Sequence, residues 1–199
     1  MAVLVPPGNV AREIALYRQR LFFAFGDPSA RAFPEAIPLA FARRRDPSEP
    51  SPAAPEGAPA GGGFRARAKA LLASAWSGIE GDFRAEGLLV ESGSLYLSIA
   101  GPLEAIARGI EPRLPAIGLI AGGDPAASPD RTYPAPLVGF LLCRPPRPEA
   151  ALATALALGP PRLRFEACCL SLYRLHAGDD PFAALSWTEL AAAARPRRP

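Results

Sequence analysis

The chain has 199 residues but a single histidine, His176, a single lysine, Lys69, and three cysteines. One imidazole excludes any reaction that passes protons between two of them. Cys143, Cys168 and Cys169 make an odd count with no C-x-x-C pair. Adjacent residues on a strand point to opposite faces, so Cys168 and Cys169 are badly placed to share a metal. Buried reduced thiols are expected, and no metal or other cofactor. No apolar run approaches the ~18 residues that cross a bilayer, so no membrane partner is expected. The start, Met1-Ala2-Val3-Leu4-Val5-Pro6-Pro7, lacks the length and basic residues of a secretory signal. It reads as a first strand, and the expected location is cytoplasmic.

Alanine, proline and arginine are abundant, as in GC-rich genes. The net charge of +3 and pI near 9.0 therefore read first as codon usage and only second as nucleic-acid binding. A hydrophobic share of 49% is enough for a sizeable core, in one large domain or two small repeats sharing it.

Val3–Val5 predicts a short strand. Asn9 is placed to cap a helix in which Val10, Ile14, Tyr17, Leu21 and Phe25 recur at spacings of three and four. Arg12, Glu13, Arg18 and Arg20 fall mostly on its wet side, and Gly26-Asp27-Pro28 ends it. A second strand, Ile37–Ala42, runs into Arg43-Arg44-Arg45. Residues 46–63 hold nothing that can fill a core and read as a flexible surface insertion, with Gly61-Gly62-Gly63 as linker. Phe64–Trp76 predicts a helix, although Arg65, Arg67 and Lys69 near its start oppose the helix dipole. Phe83–Val90 and Leu95–Ala100 read as a hairpin turning at Ser92-Gly93. Pro102 opens a helix with Leu103, Ile106, Ile110 and Leu114 on one face, which Pro112 and Pro115 should kink or shorten. After the turn-rich Gly122–Asp130 come a strand, Leu137–Cys143, a helix, Pro148–Leu158, a last strand, Phe165–Leu175, and a frayed tail, Arg195–Pro199.

Two segments resemble each other. Arg31-Ala32-Phe33-Pro34 leads into Ala36-Ile37-Pro38-Leu39-Ala40-Phe41, and Arg131-Thr132-Tyr133-Pro134 leads into Ala135-Pro136-Leu137-Val138-Gly139-Phe140. Each follows a strand and a helix, so the recurring unit is β-α-β. The expected fold class is α+β, with duplicated β-α-β units forming two facing, mainly antiparallel sheets and helices on the outside. The repeats are read as about 1–45 plus 64–90, and 91–175. This order, with these motifs, resembles the two-histidine (2H) phosphoesterases, the superfamily of 2'-5' RNA ligase and RNA cyclic phosphodiesterase proteins. The likeness is carried by Val3–Pro7, Leu21-Phe22, Phe33-Pro34 with Ala36-Ile37-Pro38-Leu39, Leu95–Ile99, Tyr133-Pro134, and Phe165 through Leu172-Tyr173.

The resemblance implies a His-x-Thr or His-x-Ser motif in each repeat, one imidazole taking a proton while the other gives one. Such help is worth about 10²–10⁴ in rate per group. Here the first motif falls on Ala36 and Pro38. The second falls on Ala135 and Leu137, or one place later on Pro136 and Val138, a slip that would reverse every side chain. Neither choice holds a histidine. The expectation is a silent 2H-like protein, without the inherited 2',3'-cyclic phosphodiesterase or 2'-5' ligase chemistry, that binds RNA, a nucleotide or another phosphate compound in the inter-repeat groove.

Arg43, Arg44 and Arg45 suit phosphate oxygens, and Tyr96 and Tyr173 are candidate stacking surfaces. A solvated charge run at a strand exit is the plainer reading of the arginines. Two other functions stay open. One is an active phosphodiesterase with substitute residues, for which Cys169-Leu170-Ser171 has the outward look of a motif and His176 sits beside Asp179-Asp180. A core cysteine and an exposed turn histidine are the plainer readings. The other is a scaffold that contacts a protein through its sheet face or its Pro-rich insertion.

Overall fold

Apolar residues over Ala2–Val5 form strand β1, and Pro6-Pro7 stop it. Helix α1 (Gly8–Phe25) follows and closes on Gly26, whose positive φ of 67° lets its N–H reach Phe22 O. The helix begins one residue before Asn9, with Pro7 at the cap position and no capping side chain, so Asn9 does not cap it. The computed structural model describes residues 1–27, 29, 33–44, 63–121, 138–166, 169–176 and 186–196. Among them the order continues as β2 (Ile37–Ala40), β3 (Ala42–Arg44), α2 (Phe64–Ser74), β4 (Phe83–Glu91), β5 (Ser94–Ala100) and α3 (Leu103–Ile110). A 3-10 helix (Glu111–Ile117) comes next, then β6 (Leu119–Ala121), β7 (Gly139–Cys143), α4 (Pro148–Ala157), β8 (Arg164–Phe165), β9 (Cys169–His176) and β10 (Ser186–Ala194).

The class is α+β, and every strand pair is antiparallel. One sheet has the order β10-β9-β1-β2, a second β7-β5-β4-β8, and β3 pairs with β6 in a separate ribbon. The first sheet thus draws on both ends of the chain and the second on its middle. The sheets divide the chain differently from 1–45 plus 64–90 and 91–175, because β4 joins β5 and β9 joins β1.

Several expected elements change at their ends. The strand Ile37–Ala42 breaks at Phe41 and splits between two sheets. Phe165–Leu175 is also two strands, β8 in the second sheet and β9 in the first, and it is not the last. The missed final strand, β10, ends in Ala191–Ala194, whose propensity favours helix; pairing with β9 overrides it. The hairpin turns at Ser92 and Gly93, both with positive φ, as a two-residue loop requires. Pro112 and Pro115 convert the end of α3 into the 3-10 helix, in which Leu114 stays buried.

Alternate strand residues build one continuous core: Leu4, Ile37 and Leu39, Leu95 and Leu97, Phe140 and Leu142, Leu170 and Leu172. Ile14 and Leu21 of α1, Leu72 of α2 and Ile106 of α3 join them. Full burial of such a side chain contributes about 1.5–3 kcal/mol. Polar tethers fix the helices. Tyr17 Oη donates to Ala155 O at 2.6 Å, and Trp76 Nε1 donates to Ala193 O at 3.2 Å. Arg195, expected in the frayed tail, lies over the Trp76 ring and donates to Gly81 O and Ile79 O. Residues 197–199 and the insertion from 46 to 62 lie outside the described residues.

Candidate binding site at the seam between the sheets

Strand β2 ends one sheet, β7 ends the other, and the two pack against each other. Each edge offers backbone carbonyls that need donors. Arg18 supplies them. Its Nη1 donates to Phe33 O at 2.7 Å and Pro34 O at 3.1 Å, on the segment entering β2, and its Nη2 donates to Leu141 O of β7. Only 2% of Arg18 is exposed, and its nearest carboxylate, Glu35, is 3.8 Å away. Burial pulls the guanidinium pKa down to about 10, against the attraction of Glu35. Arg18 was expected on the wet side, and the signal against that was present. It stands four residues after Ile14 and three before Leu21, on the apolar stripe itself.

Away from the core, cross-strand partners make two short rows. Ser171, Val3 and Pro38 lie side by side in the first sheet; Leu141, Tyr96 and Leu89 do so in the second. Ala36 is 4% exposed and Pro38 half-buried, with no hydroxyl or imidazole at either place. Val138 is half-buried, and its carbonyl accepts from Ile99 N at 3.0 Å. Ala135, Pro136 and Leu137 lie outside the described residues, as does Arg45. Val3, Leu141 and Tyr96 are all buried, so these positions of the seam face are closed to a ligand.

The candidate residues do not converge. Tyr96, 1% exposed, offers no ring face for stacking, and among the described residues its buried hydroxyl has no well-formed hydrogen bond, with Ser94 as its polar neighbour. Tyr173 is half-buried on the first sheet, where burial and then Glu189, Cys169 and Glu35 push its pKa up. That neighbourhood is acidic and would repel a phosphate. Arg43 and Arg44 are exposed on β3, in the ribbon with β6.

Cys169 and Ser171 share a face of β9, Sγ to Oγ 3.6 Å, and Ser171 Oγ donates to Glu189 Oε2 at 3.0 Å. Burial raises the Cys169 pKa, which keeps the thiol protonated and weakly nucleophilic. His176 bonds Thr188 Oγ1 at 3.0 Å, exposed. At the rise of a strand, Cys169 and His176 are about 23 Å apart, so they form no nucleophile–base pair. Cys168, Asp179 and Asp180 lie outside the described residues. Among the described residues no group of three or more His, Cys, Asp or Glu side chains is placed to hold a metal ion. No helix among them is long and apolar enough to cross a membrane.

Burial has a consequence at high pH. Burial pushes Tyr17, Tyr96 and Cys143 each up to about 12, from 10.0 for the phenols and 9.0 for the thiol. Each contributes its stability fully below its unfolded pKa and loses it as pH rises toward 12, because the unfolded chain releases the proton first. Arg18 acts in the opposite sense above pH 10. With the linkage value halved for solvent screening, the expected net loss is about 3 kcal/mol between pH 9 and 12. Urea midpoints at pH 8, 10 and 11 check it; a constant midpoint would contradict the burial of these groups.

No family model and no curated protein matches the sequence.

Proposed function

We propose that the chain is a 2H phosphoesterase-like protein that lacks the two-imidazole reaction and works by binding a phosphate-bearing ligand, RNA or a nucleotide. One observation carries the reading: for the three strands nearest the seam in each sheet, the connectivity maps onto itself when the sheets are exchanged, while the outermost strands, β10 and β8, have no such correspondence. Counted outward from the seam, the strand orders are β2-β1-β9-β10 and β7-β5-β4-β8. The inner pairs come from β1-α1-β2 and β5-α3-β7. Helix α1 packs on β7 and α4, while α3 packs on β2 and α2, so each contact has its counterpart. Such correspondence is what a duplicated β-α-β unit produces. The returning strand of each unit borders the seam, where the resemblance calls for a histidine; Ala36 immediately precedes the first of these strands and Pro38 stands on it.

With Val3, Leu141 and Tyr96 buried, the ligand is assigned to the exposed Arg43 and Arg44, which follow β2 in the chain. Titration with 2',3'-cyclic nucleotides and short RNAs at two salt concentrations, followed by NMR, tests the reading. Expected are binding that weakens steeply as salt rises and no turnover. No binding at low salt removes the ligand; hydrolysis of the cyclic phosphate by pure protein removes the claim of silence.

A further inference from the structure

Strand β3 and helix α2 carry Arg43, Arg44, Arg65, Arg67 and Lys69 and no carboxylate. Arg43, Arg44, Arg65 and Lys69 are exposed and Arg67 is half-buried. The two elements are linked through their neighbours: β3 pairs with β6, β6 packs on the 3-10 helix, and that helix, which carries exposed Glu111, packs on α2. Elsewhere the signs are mixed. Arg108 pairs with Glu104 at 3.6 Å, Arg164 with Asp82, and Arg84 with Glu86 at 3.9 Å. Codon usage would scatter arginine over the surface; it would not empty two linked elements of carboxylates. The cations of α2 also sit in its N-terminal half, where they oppose the helix dipole, with no acid in the first turn and no capping side chain. An anion bound along α2 relieves that conflict.

Apart from the cations and Phe64, the exposed positions of α2 are Ala66, Ala70, Ala73 and Ser74. They have nothing to insert into a bilayer; Phe64, 36% exposed, is the one large apolar side chain on the exposed side of α2. Spaced cations on a small-residue surface fit a repeating phosphate chain better than a lipid surface.

We infer that β3 and α2 form a surface that holds the phosphodiester backbone of a single-stranded nucleic acid without reading its sequence. The inference stands on the placement of charge and does not need the seam to bind anything. Each phosphate contact on a single strand adds about 0.7 to the slope of log affinity against log salt, so the three cations of α2 account for about 2.

The test is fluorescence anisotropy with a labelled oligouridylate of about 20 nucleotides between about 50 and 200 mM salt, comparing the protein with R65A/R67A/K69A. The variant is expected to bind at least about tenfold more weakly at low salt, with a slope shallower by about 2. Its Tm should be unchanged or higher, since the conflict with the dipole is gone. If the Tm falls, R65A/K69A, which changes exposed side chains alone, takes its place. A protein that ignores the oligonucleotide at low salt overturns the inference, as does a variant that keeps the full slope. Displacement of the oligonucleotide by anionic phospholipid vesicles or by polyglutamate at equal charge also overturns it. Oligouridylate bound without cyclic nucleotide leaves this surface standing and removes the seam; the reverse removes this surface alone.

Discussion

Arg18→Ala is expected to lower the unfolding free energy by about 4 kcal/mol. The side chain gives hydrogen bonds to three carbonyls, Phe33 O and Pro34 O on the segment entering β2 and Leu141 O on β7. Leaving a buried acceptor unmade costs about 1–3 kcal/mol, in full at Leu141 O and in part at the half-buried Phe33 O and Pro34 O. Removing a buried charge returns some desolvation energy, which is why the expected figure sits below the sum. Arg18→Met keeps most of the volume and separates packing from hydrogen bonding; it should recover little. Arg18→Lys should lie between, because an ammonium group lacks the planar fork that serves both edges at once. Arg20→Ala, two residues along and exposed, should cost less than about 0.5 kcal/mol. Urea unfolding at pH 7 measures all four. A loss below about 1 kcal/mol for Arg18→Ala would mean that the seam closes without the guanidinium.

Gly139→Ala is expected to cost about 3 kcal/mol or more and to loosen the β5–β7 edge. Gly139 has φ 151°, a region closed to most side chains, and its pairing partner is Ser98. A Cβ there would collide with Leu97 O and come within 3.0 Å of Ile99 N, both backbone atoms of β5 that no rotamer change can move. Gly159 is the useful control. Its φ is 72°, but nothing lies within 4 Å of a Cβ, so Gly159→Ala carries conformational strain alone, about 1–2 kcal/mol. Hydrogen exchange at the Ile99 amide, which donates to Val138 O, reports the local effect. Equal losses at the two glycines would show that the collision relaxes away. Position 139 opens β7, so its collapse would free one side of the seam without touching β2.

Local pattern was enough for much of the fold. Spacings of three and four placed α1 and α3, and Ser92-Gly93 placed the hairpin, because helix faces and two-residue turns are decided by neighbours in sequence. The same stripe carries Arg18, because position on a helix face rather than charge decides which side chain is turned inward. A lone histidine likewise settled from sequence that two imidazoles cannot meet.

Tertiary structure decided the rest, where partners are distant in the chain. Nothing in Ile37–Arg44 says that it breaks at Phe41 and divides between sheets, since the ribbon partner, Leu119–Ala121, lies some way along the chain. Alanine-rich β10 is a strand through β9, and Tyr96 is buried rather than a stacking surface. Propensity acts over a few residues, whereas strand pairing and burial are set by whichever segments close the sheet.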